Sequence, residues 1–395
     1  MKSPVIILGC AVLMIIAVAP ALTLADVTFR VTVPADTDPD ASVFIAGDFQ
    51  SWQPDHPDYK LKNTGGRLWE IVLPLEAGRA LQFKFTLGDW EHVEKGPKGE
   101  EIQNRLHQVT GGETLDLEVA GWARGEAHKS SLTGNVQIIT VPEFLDDRRV
   151  WVYLPPGYDE ETERRYPVLY MFDGQNVFDD ATSFAGEWQV DETLEKLIPA
   201  GRTAPLIVVA VANGGDLRGH EYTPWFSPGR NYGGGGGEHL RTWIDVLLPH
   251  VNANFRTLTG PDNTGLAGSS FGGLMTLYAA YTHPDVFGRC GSFSPSLMFA
   301  AGRLPEMISS REEKPDLTLY VDMGTREQGN LHDADGNGTD DGIDSLRRLK
   351  DILAGQGFIG GWDLLVIEGE GHRHNESYWA QRFPAAVEFL FPAEP

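Results

Sequence analysis

Thr264-Gly265-Leu266-Ala267-Gly268-Ser269-Ser270-Phe271-Gly272-Gly273-Leu274-Met275 contains Gly-x-Ser-x-Gly between a short apolar run and an amphipathic stretch. The pattern is that of a nucleophile elbow. A serine on a sharp strand-to-helix turn has its hydroxyl pushed clear of the backbone, and the helix that follows points NH groups at a reacting carbonyl. Gly268 and Gly272 flank the serine because a strained turn and a close helix–strand approach leave no room for Cβ atoms. Leu266 and Ala267 end a strand-like run, and Leu274, Leu277 and Tyr278 recur at helical spacing. Ser270 is therefore the candidate nucleophile. A Gly/Ser turn ahead of an ordinary helix is the alternative, and residues elsewhere in the chain decide between them.

A serine hydroxyl needs a histidine to take its proton and a carboxylate to orient that histidine. Leu364-Leu365-Val366-Ile367 reads as the last strand, followed by the loop Gly369-Glu370-Gly371-His372-Arg373-His374-Asn375-Glu376. His374 is favoured over His372, because His374-Asn375-Glu376 opens the last helix. A His-x-His pair also suits a metal, but no third ligand presents itself nearby. The acid belongs after the strand ending at Val321, in Asp322-Met323-Gly324-Thr325-Arg326-Glu327, where Glu327 leads and Asp322 is the rival. The chain order serine, acid, histidine is that of α/β-hydrolases. Two amides are expected to receive the oxyanion: that of Phe271, directly after the nucleophile, and that of Gln175, in Asp173-Gly174-Gln175-Asn176 after a strand ending at Phe172.

At 395 residues the chain exceeds one average domain. Met1 to Ala25 reads as an export signal: Lys2 is the positive start, Val5 to Val18 the apolar run, and Leu22-Thr23-Leu24-Ala25 the small-residue end before Asp26. A secreted or periplasmic location follows. The run is short and broken by Pro20, which weighs against a membrane anchor. Without the signal Cys290 is the remaining cysteine of two, so no intramolecular disulfide is expected, and its apolar neighbours make it a core residue. The net charge of −24 becomes one unit more negative without Lys2, and such a surface repels nucleic acid and anionic lipid.

Upstream, apolar residues alternate in Val27, Phe29, Val31 and Val33, in Leu81, Phe83, Phe85 and Leu87, and in Leu115, Leu117 and Val119. Period two with closely spaced turn clusters predicts a β-sandwich over residues 26–120. This segment resembles a starch- or glycogen-binding module of the immunoglobulin-like type. The resemblance rests on Val43-Phe44-Ile45-Ala46-Gly47-Asp48-Phe49-Gln50-Ser51-Trp52, on Leu68-Trp69-Glu70 and on Phe83-Lys84-Phe85 leading to Trp90-Glu91. It implies a polysaccharide partner, with Trp52 and Trp90 stacking on sugar rings. The alternative is that these tryptophans fill the sandwich core, and Trp69, inside an alternating strand, suits the core best.

Gly121 to Gly134 reads as a linker. From 135 to 395, unbroken apolar runs such as Val150-Trp151-Val152-Tyr153-Leu154 and Leu206-Ile207-Val208-Val209-Ala210-Val211 alternate with helical stretches. That predicts an α/β unit, a doubly wound, mainly parallel sheet covered on both faces. Gly233 to Gly237 lacks the Lys-Ser/Thr of a phosphate loop and reads as an active-site or surface loop.

From about Asn135 to Phe391 the chain resembles the esterase D and enterochelin-esterase-like group of α/β-hydrolases, which also includes carbohydrate esterase family one and the mycolyltransferases. The matching stretches are Val152-Tyr153-Leu154-Pro155-Pro156-Gly157-Tyr158, Tyr166-Pro167-Val168-Leu169-Tyr170-Met171-Phe172-Asp173-Gly174-Gln175, Glu221-Tyr222-Thr223-Pro224, the elbow, and His374-Asn375-Glu376 followed by Trp379. The resemblance implies a Ser270, Glu327, His374 triad with the two amides named above, and it puts Glu221 and Tyr222 on the substrate side. Where the family often carries Asp as the acid, this chain offers Glu327.

Asp333, Asp335, Asn337, Thr339, Asp341 and Asp344 fall within a twelve-residue stretch with Gly338 at its sixth position, the spacing of a calcium loop. Position twelve is Asp rather than Glu, and the alternative is a solvated acidic loop ending in Asp344 as the cap of a helix from Ser345 to Leu353. Calcium there would be structural, ordering the loop that carries Glu327; the chemistry itself needs no cofactor. The expected function is an exported serine carboxylic-ester hydrolase acting on acetyl or hydroxycinnamoyl esters of carbohydrates. The rivals are hydrolysis of an anionic siderophore trilactone, for which Arg218 and Arg230 would supply positive charge, and a catalytically inactive carbohydrate-binding protein.

Overall fold

The computed structural model describes residues 24–393, apart from 39, 51, 98, 100, 101, 103, 124–129, 146, 147, 184, 185, 229–231 and 330. The expected export signal lies outside these residues, except that its last two, Leu24 and Ala25, already belong to the first strand.

The N-terminal strands are β1 (Leu24–Thr32), β2 (Phe44–Gly47), β3 (Lys62–Gly65), β4 (Leu68–Glu76), β5 (Ala80–Thr86), β6 (Glu94–Lys95), β7 (Arg105–Gln108), β8 (Glu113–Glu118) and β9 (Gly121–Trp122). One sheet has the order β3-β4-β1-β8, a second β2-β5-β7, and β6 pairs with β9. The alternation read from the sequence is what joins the two sheets. Val27, Phe29 and Val31 of β1 and Leu81, Phe83 and Phe85 of β5 meet in one core with Trp69 of β4. Phe29 and Phe83 touch edge to face, with ring centroids 5.3 Å apart. Each such side chain contributes about 1.5–3 kcal/mol by leaving water.

Gly121 and Trp122, expected in the linker, extend the sandwich instead. Trp122 packs on its core and donates its indole NH to Thr37 Oγ1 at 2.8 Å. The far end of the expected linker is fastened to the second unit: Ser130 Oγ donates to Asp179 at 3.1 Å and the Thr133 amide to Asp191 at 2.7 Å.

The second unit begins with β10 (Asn135–Ile139), β11 (Val150–Leu154) and β12 (Val168–Met171), followed by α1 (Val190–Leu197) and β13 (Ile207–Val211). Then come α2 (Arg218–Glu221), the hairpin strands β14 (Phe226–Ser227) and β15 (Tyr232–Gly233), α3 (Gly236–Thr242) and α4 (Leu248–Asn254). The chain closes with β16 (Thr264–Ser269), α5 (Phe271–Thr282), β17 (Arg289–Phe293), α6 (Arg303–Ser309), β18 (Thr318–Gly324), α7 (Asp341–Gly355), β19 (Leu364–Gly369) and α8 (Glu376–Leu390). The sheet order is β10-β11-β13-β12-β16-β17-β18-β19, antiparallel at β10 and β11 and parallel from β13 onward. This is the α/β-hydrolase fold, behind a β-rich N-terminal region.

The strands read as unbroken apolar runs because both faces are covered. β11 sends Val150, Val152 and Leu154 to the face packed by α3, α5 and α7, and Trp151 and Tyr153 to the face packed by α1 and α8. Cys290 of β17 is fully buried, and that burial pushes its thiol up to about 12, so it is core. α7 starts four residues earlier than the sequence suggested. Asp340, not Asp344, caps it, by accepting from the Gly342 amide. No described helix is long and apolar enough to cross a membrane.

Candidate active site

β16 ends at Ser269, and Ser270 turns the chain into α5 with φ 57° and ψ −117°. A non-glycine residue at positive φ is strained, and neighbouring contacts hold it there. The Ser270 amide donates to Phe293 O at 3.0 Å, and its carbonyl accepts from the Ser296 amide at 3.1 Å and the Leu274 amide at 3.0 Å. A Cβ on Gly268 would come within 2.9 Å of Gly272 C and Phe172 Cδ2, so the elbow closes only with glycine. The Ser270 hydroxyl is partly exposed and faces Ser296 Oγ at 3.4 Å.

Two strands away, His374 Nδ1 meets Glu327 Oε2 at 2.5 Å, and the His374 amide donates to Glu327 O at 3.1 Å. Glu327 Oε1 accepts from Ser294 Oγ at 2.8 Å and from the Gly324 amide. Burial works against the charge on Glu327, yet His374, Ser294 and Gly324 together hold its carboxyl below the usual range. With Nδ1 committed to the carboxylate, Nε2 is the nitrogen left to accept a proton. The Trp379 ring stands at 84° to the imidazole, 5.1 Å between centroids, and fixes its plane.

Ser294 links this pair to the elbow. It follows Phe293, the acceptor for the Ser270 amide, and its hydroxyl takes Trp379 Nε1 at 3.0 Å and Arg382 Nη2 at 2.9 Å while donating to Glu327. Ser270, Glu327 and His374 thus surround one short segment, although hydroxyl and imidazole are not hydrogen-bonded to each other in this conformation. Such bonds are often long before substrate arrives, and a χ1 rotation carries the serine oxygen from one well to the next.

Asp322, the rival acid, is fully buried as a brace. It accepts from Arg382 Nε at 2.8 Å, Tyr320 Oη at 2.7 Å and the Ser294 amide at 3.0 Å. His372, the rival base, faces Arg382 Nη1 at 3.1 Å.

The turn that carries Gln175 lies beside the elbow, held by the Phe172 amide on Ala267 O at 3.0 Å. Asp173 is left-handed at φ 56°, and Gly174–Asn176 form one 3-10 turn. A Cβ on Gly174 would meet Ala210 C at 2.6 Å, so glycine is required. Arg218 grips the Asp173 carboxylate from two sides, at 2.7 and 2.8 Å, and Asn213 Nδ2 adds a third bond at 2.7 Å. The amides of Gln175 and Phe271 head the first turns of their helices, where no acceptor exists within the helix.

Glu221 and Tyr222, expected against substrate, are placed elsewhere. Tyr222 is fully buried, its hydroxyl accepting from the Asp173 amide at 3.2 Å, and Glu221 is locked in a two-point ion pair with Arg148 at 2.8 and 2.9 Å. Tyr222 braces the Asp173 turn from behind, while Arg148, held by Glu221, donates to Ala212 O at 3.3 Å just after β13. The side chains beside the nucleophile form an aromatic cluster: half-buried Phe271 meets buried Phe299 edge to face at 5.3 Å, and half-buried Tyr232 stacks on Phe299 at 6.0 Å. Trp52 and Trp90 belong to the sandwich. They are half-buried and tilted against each other, 6.3 Å between centroids, while Trp69 is core.

In the acidic loop, oxygens of Asp333, Asp335 and Asp341 lie within 4.8 Å of one another. The rest of the expected set does not join them. Asn337 turns its amide nitrogen to Asp335 and Asp344, at 3.2 and 2.8 Å, and its oxygen accepts from the Thr339 amide at 2.7 Å. Asp333 accepts from the Gly336, Asn337 and Gly338 amides, which lower its pKa. Nor does the loop hold Glu327, whose carboxylate is fixed by Ser294, Gly324 and His374.

The sequence reading missed Ser294, Arg382 and Asn176. Ser294 and Arg382 stand in no motif, Asn176 ends the stretch that carries Gln175, and only contacts with residues far along the chain reveal what the three do. Comparison with known proteins adds a family and a fold. The esterase family model matches residues 142–390. The uncharacterized protein YbbA of Bacillus subtilis is 26% identical over 254 residues, 62% of this chain and 93% of that one. An endo-1,4-beta-xylanase/feruloyl esterase of Xylanibacter ruminicola is 29% identical over 179 residues, 45% of this chain and 22% of that protein. An alpha-amylase of Niallia circulans is 40% identical over 97 residues, 24% of this chain and 8% of the amylase. The chain therefore spans less than a quarter of the length of either of the latter two. Among solved structures, the enterobactin esterase of Shigella flexneri, crystallised in the presence of enterobactin, superposes with a TM-score of 0.52 over 92% of both chains at 17% identity.

Proposed function

This chain belongs to the esterase family and is a carboxylic ester hydrolase of α/β-hydrolase fold; from that premise we propose that Ser270 is its nucleophile, His374 its general base and Glu327 the acid that orients the base. The observation that carries the reading is the Glu327–His374 pair, 2.5 Å apart, beside a serine held at φ 57°. Ser270 Oγ attacks the ester carbonyl as its proton passes to His374 Nε2. The amides of Phe271 and Gln175 receive the oxyanion, each such donor being worth about a hundredfold or more in rate. The alcohol leaves with the proton from His374, and water attacks the acyl-enzyme by the same route, with His374 again the base.

The favoured substrate is a hydroxycinnamoyl ester of a carbohydrate, with acetyl esters second. The Phe271, Phe299 and Tyr232 cluster beside the nucleophile supports an aromatic acyl group, and the relatives include a xylanase/feruloyl esterase and an alpha-amylase. In this reading the export signal delivers the enzyme to polysaccharide, and Trp52 and Trp90 hold it there, which raises the local ester concentration. A trilactone is less well supported, because Arg218 is spent on Asp173.

Nitrophenyl acetate supplies the test. The wild type should release one equivalent of nitrophenol in a burst and then turn over steadily, and Ser270→Ala should show neither phase. No burst in the wild type would favour an inactive binding protein. Initial rates on feruloylated and acetylated sugars and on a catechol trilactone would rank the substrates.

A further inference from the structure

One carboxyl group in the floor of the site has no part in the scheme above. Glu376 is the first residue of α8, two positions after His374, and is only 7% exposed. Its Oε1 accepts from Asn176 Nδ2 at 2.9 Å, a bond between residues 200 positions apart. Asn176 closes the 3-10 turn that presents the Gln175 amide. Its own amide donates to Asp173 O at 2.9 Å, and its carbonyl accepts from the Trp188 amide at 2.8 Å. One side-chain hydrogen bond therefore ties the base-bearing loop to the turn proposed to hold the oxyanion.

The charges that face Glu376 come from four elements: His374 on its own loop, Asp173 on the turn, Arg218 on α2, and Lys84 on β5 of the sandwich. Asn375 caps α8 by accepting from the Tyr378 amide, so a carboxylate at Glu376 also lies at the positive end of a helix dipole.

Resting on the serine-hydrolase reading, we propose that Glu376 is a positioning residue for ester cleavage: its bond to Asn176 sets the spacing between base and oxyanion turn, and its ionised form supports the imidazolium that develops on His374. Burial pushes this carboxyl up to about 7, and Asp173 pushes the same way against the pull of His374 and Arg218. Its charge therefore changes near neutral pH. Proton uptake by Glu376 on acidification then adds a second step of activity loss to that of the general base.

The test is the pH profile of kcat/KM for nitrophenyl acetate with the full chain. The wild type should show two inflections on the acid limb. Glu376→Gln keeps an acceptor for Asn176 but carries no charge, so the inflection of the carboxyl should vanish and one should remain. The plateau kcat should fall roughly tenfold, the change that one pKa unit represents, with KM little altered. Asn176→Asp sets a second carboxylate against Glu376 and should move the upper inflection to higher pH, and it serves as the test should the first variant fail to fold. A Glu376→Gln enzyme with the wild-type plateau and both inflections, or an Asn176→Asp enzyme with an unmoved profile, would overturn the proposal. The nitrophenol burst separates this from the parent reading. A burst lost only in Ser270→Ala leaves the triad standing whatever Glu376 does.

Discussion

The two units of the chain differ in how many polar groups they bury and in where they leave aromatic rings. In the hydrolase unit the polar atoms below the nucleophile are buried and assigned: Ser294 Oγ takes Trp379 and Arg382 and gives to Glu327, while Asp322 takes Arg382, Tyr320 and the Ser294 amide. In the sandwich a single carboxylate among the described residues, Glu94, is fully buried and likewise assigned, paired with Arg105 at 2.7 Å and accepting from the Phe85 amide at 3.0 Å, while the rings of Trp52 and Trp90 stay half in solvent. Bond cleavage needs donors fixed in place before charge develops, whereas adhesion to a sugar needs an apolar face that water leaves easily. On the proposed reading one unit cleaves and the other adheres, and Lys84 of the sandwich, facing Glu376, is where the two meet.

Within the hydrolase unit the largest expected effect separates two carboxylates that the sequence left as rivals. Glu327→Gln keeps the volume and removes the charge that orients His374, so kcat should drop by about 10²- to 10⁴-fold while the melting temperature holds. Asp322→Asn instead leaves Arg382, 3% exposed at its side chain, without a charged partner, which costs about 3–5 kcal/mol of stability. The surviving folded enzyme should stay within tenfold of wild-type kcat. Thermal melts and initial rates on both variants decide the matter, and an exchange of the two outcomes would reverse the roles of the two acids.

Across the units, Trp52→Ala should weaken retention on starch, glycogen or xylan by up to about tenfold, since one ring contact is worth about 0.5–1.5 kcal/mol. Hydrolysis of soluble nitrophenyl acetate should not change. Equal retention of both proteins would remove Trp52 from the adhesive surface, and a fall in soluble activity would show that the two units are coupled.

The layering of the fold was legible because burial leaves a periodic mark. Val27, Phe29 and Val31 alternate where one face is covered, and Val150 to Leu154 run unbroken where both are. The elbow was legible because only glycine fits at position 268 and a Cβ at 272 would crowd Phe172, and the loop histidine because a helix opens just after it. The supports were not. Asp173, Asn176, Ser294 and Arg382 act through partners 28 to 200 residues away, and no local spacing records such contacts. Tyr222 was misread for the same reason: a conspicuous tyrosine next to a glutamate gives no sign that its hydroxyl turns inward to the Asp173 amide. Glu327 and Asp322 lie five residues apart, Asp322 inside β18 and Glu327 beyond it, and no local spacing records that Arg382 takes Asp322 while His374 meets Glu327.

The smallest effect belongs to the acidic loop, which resembles neither unit, since its converging carboxylates are half-buried or exposed and satisfied mostly by their own backbone. The three converging oxygens of Asp333, Asp335 and Asp341 offer an incomplete set for calcium, and Asn337 turns the wrong end of its amide inward. Binding in the weak class, with Kd about 10⁻³ M, would add only about 1.4 kcal/mol at tenfold excess. Ten millimolar calcium should then raise the melting temperature by about 2–4 °C in the wild type and by less in Asp333→Asn. Activity should be unchanged in both, because Glu327 takes its position from Ser294, Gly324 and His374 and not from this loop. A calcium-dependent kcat would mean that the loop reaches Glu327 after all, and an unmoved melt would leave it a solvated turn leading into α7.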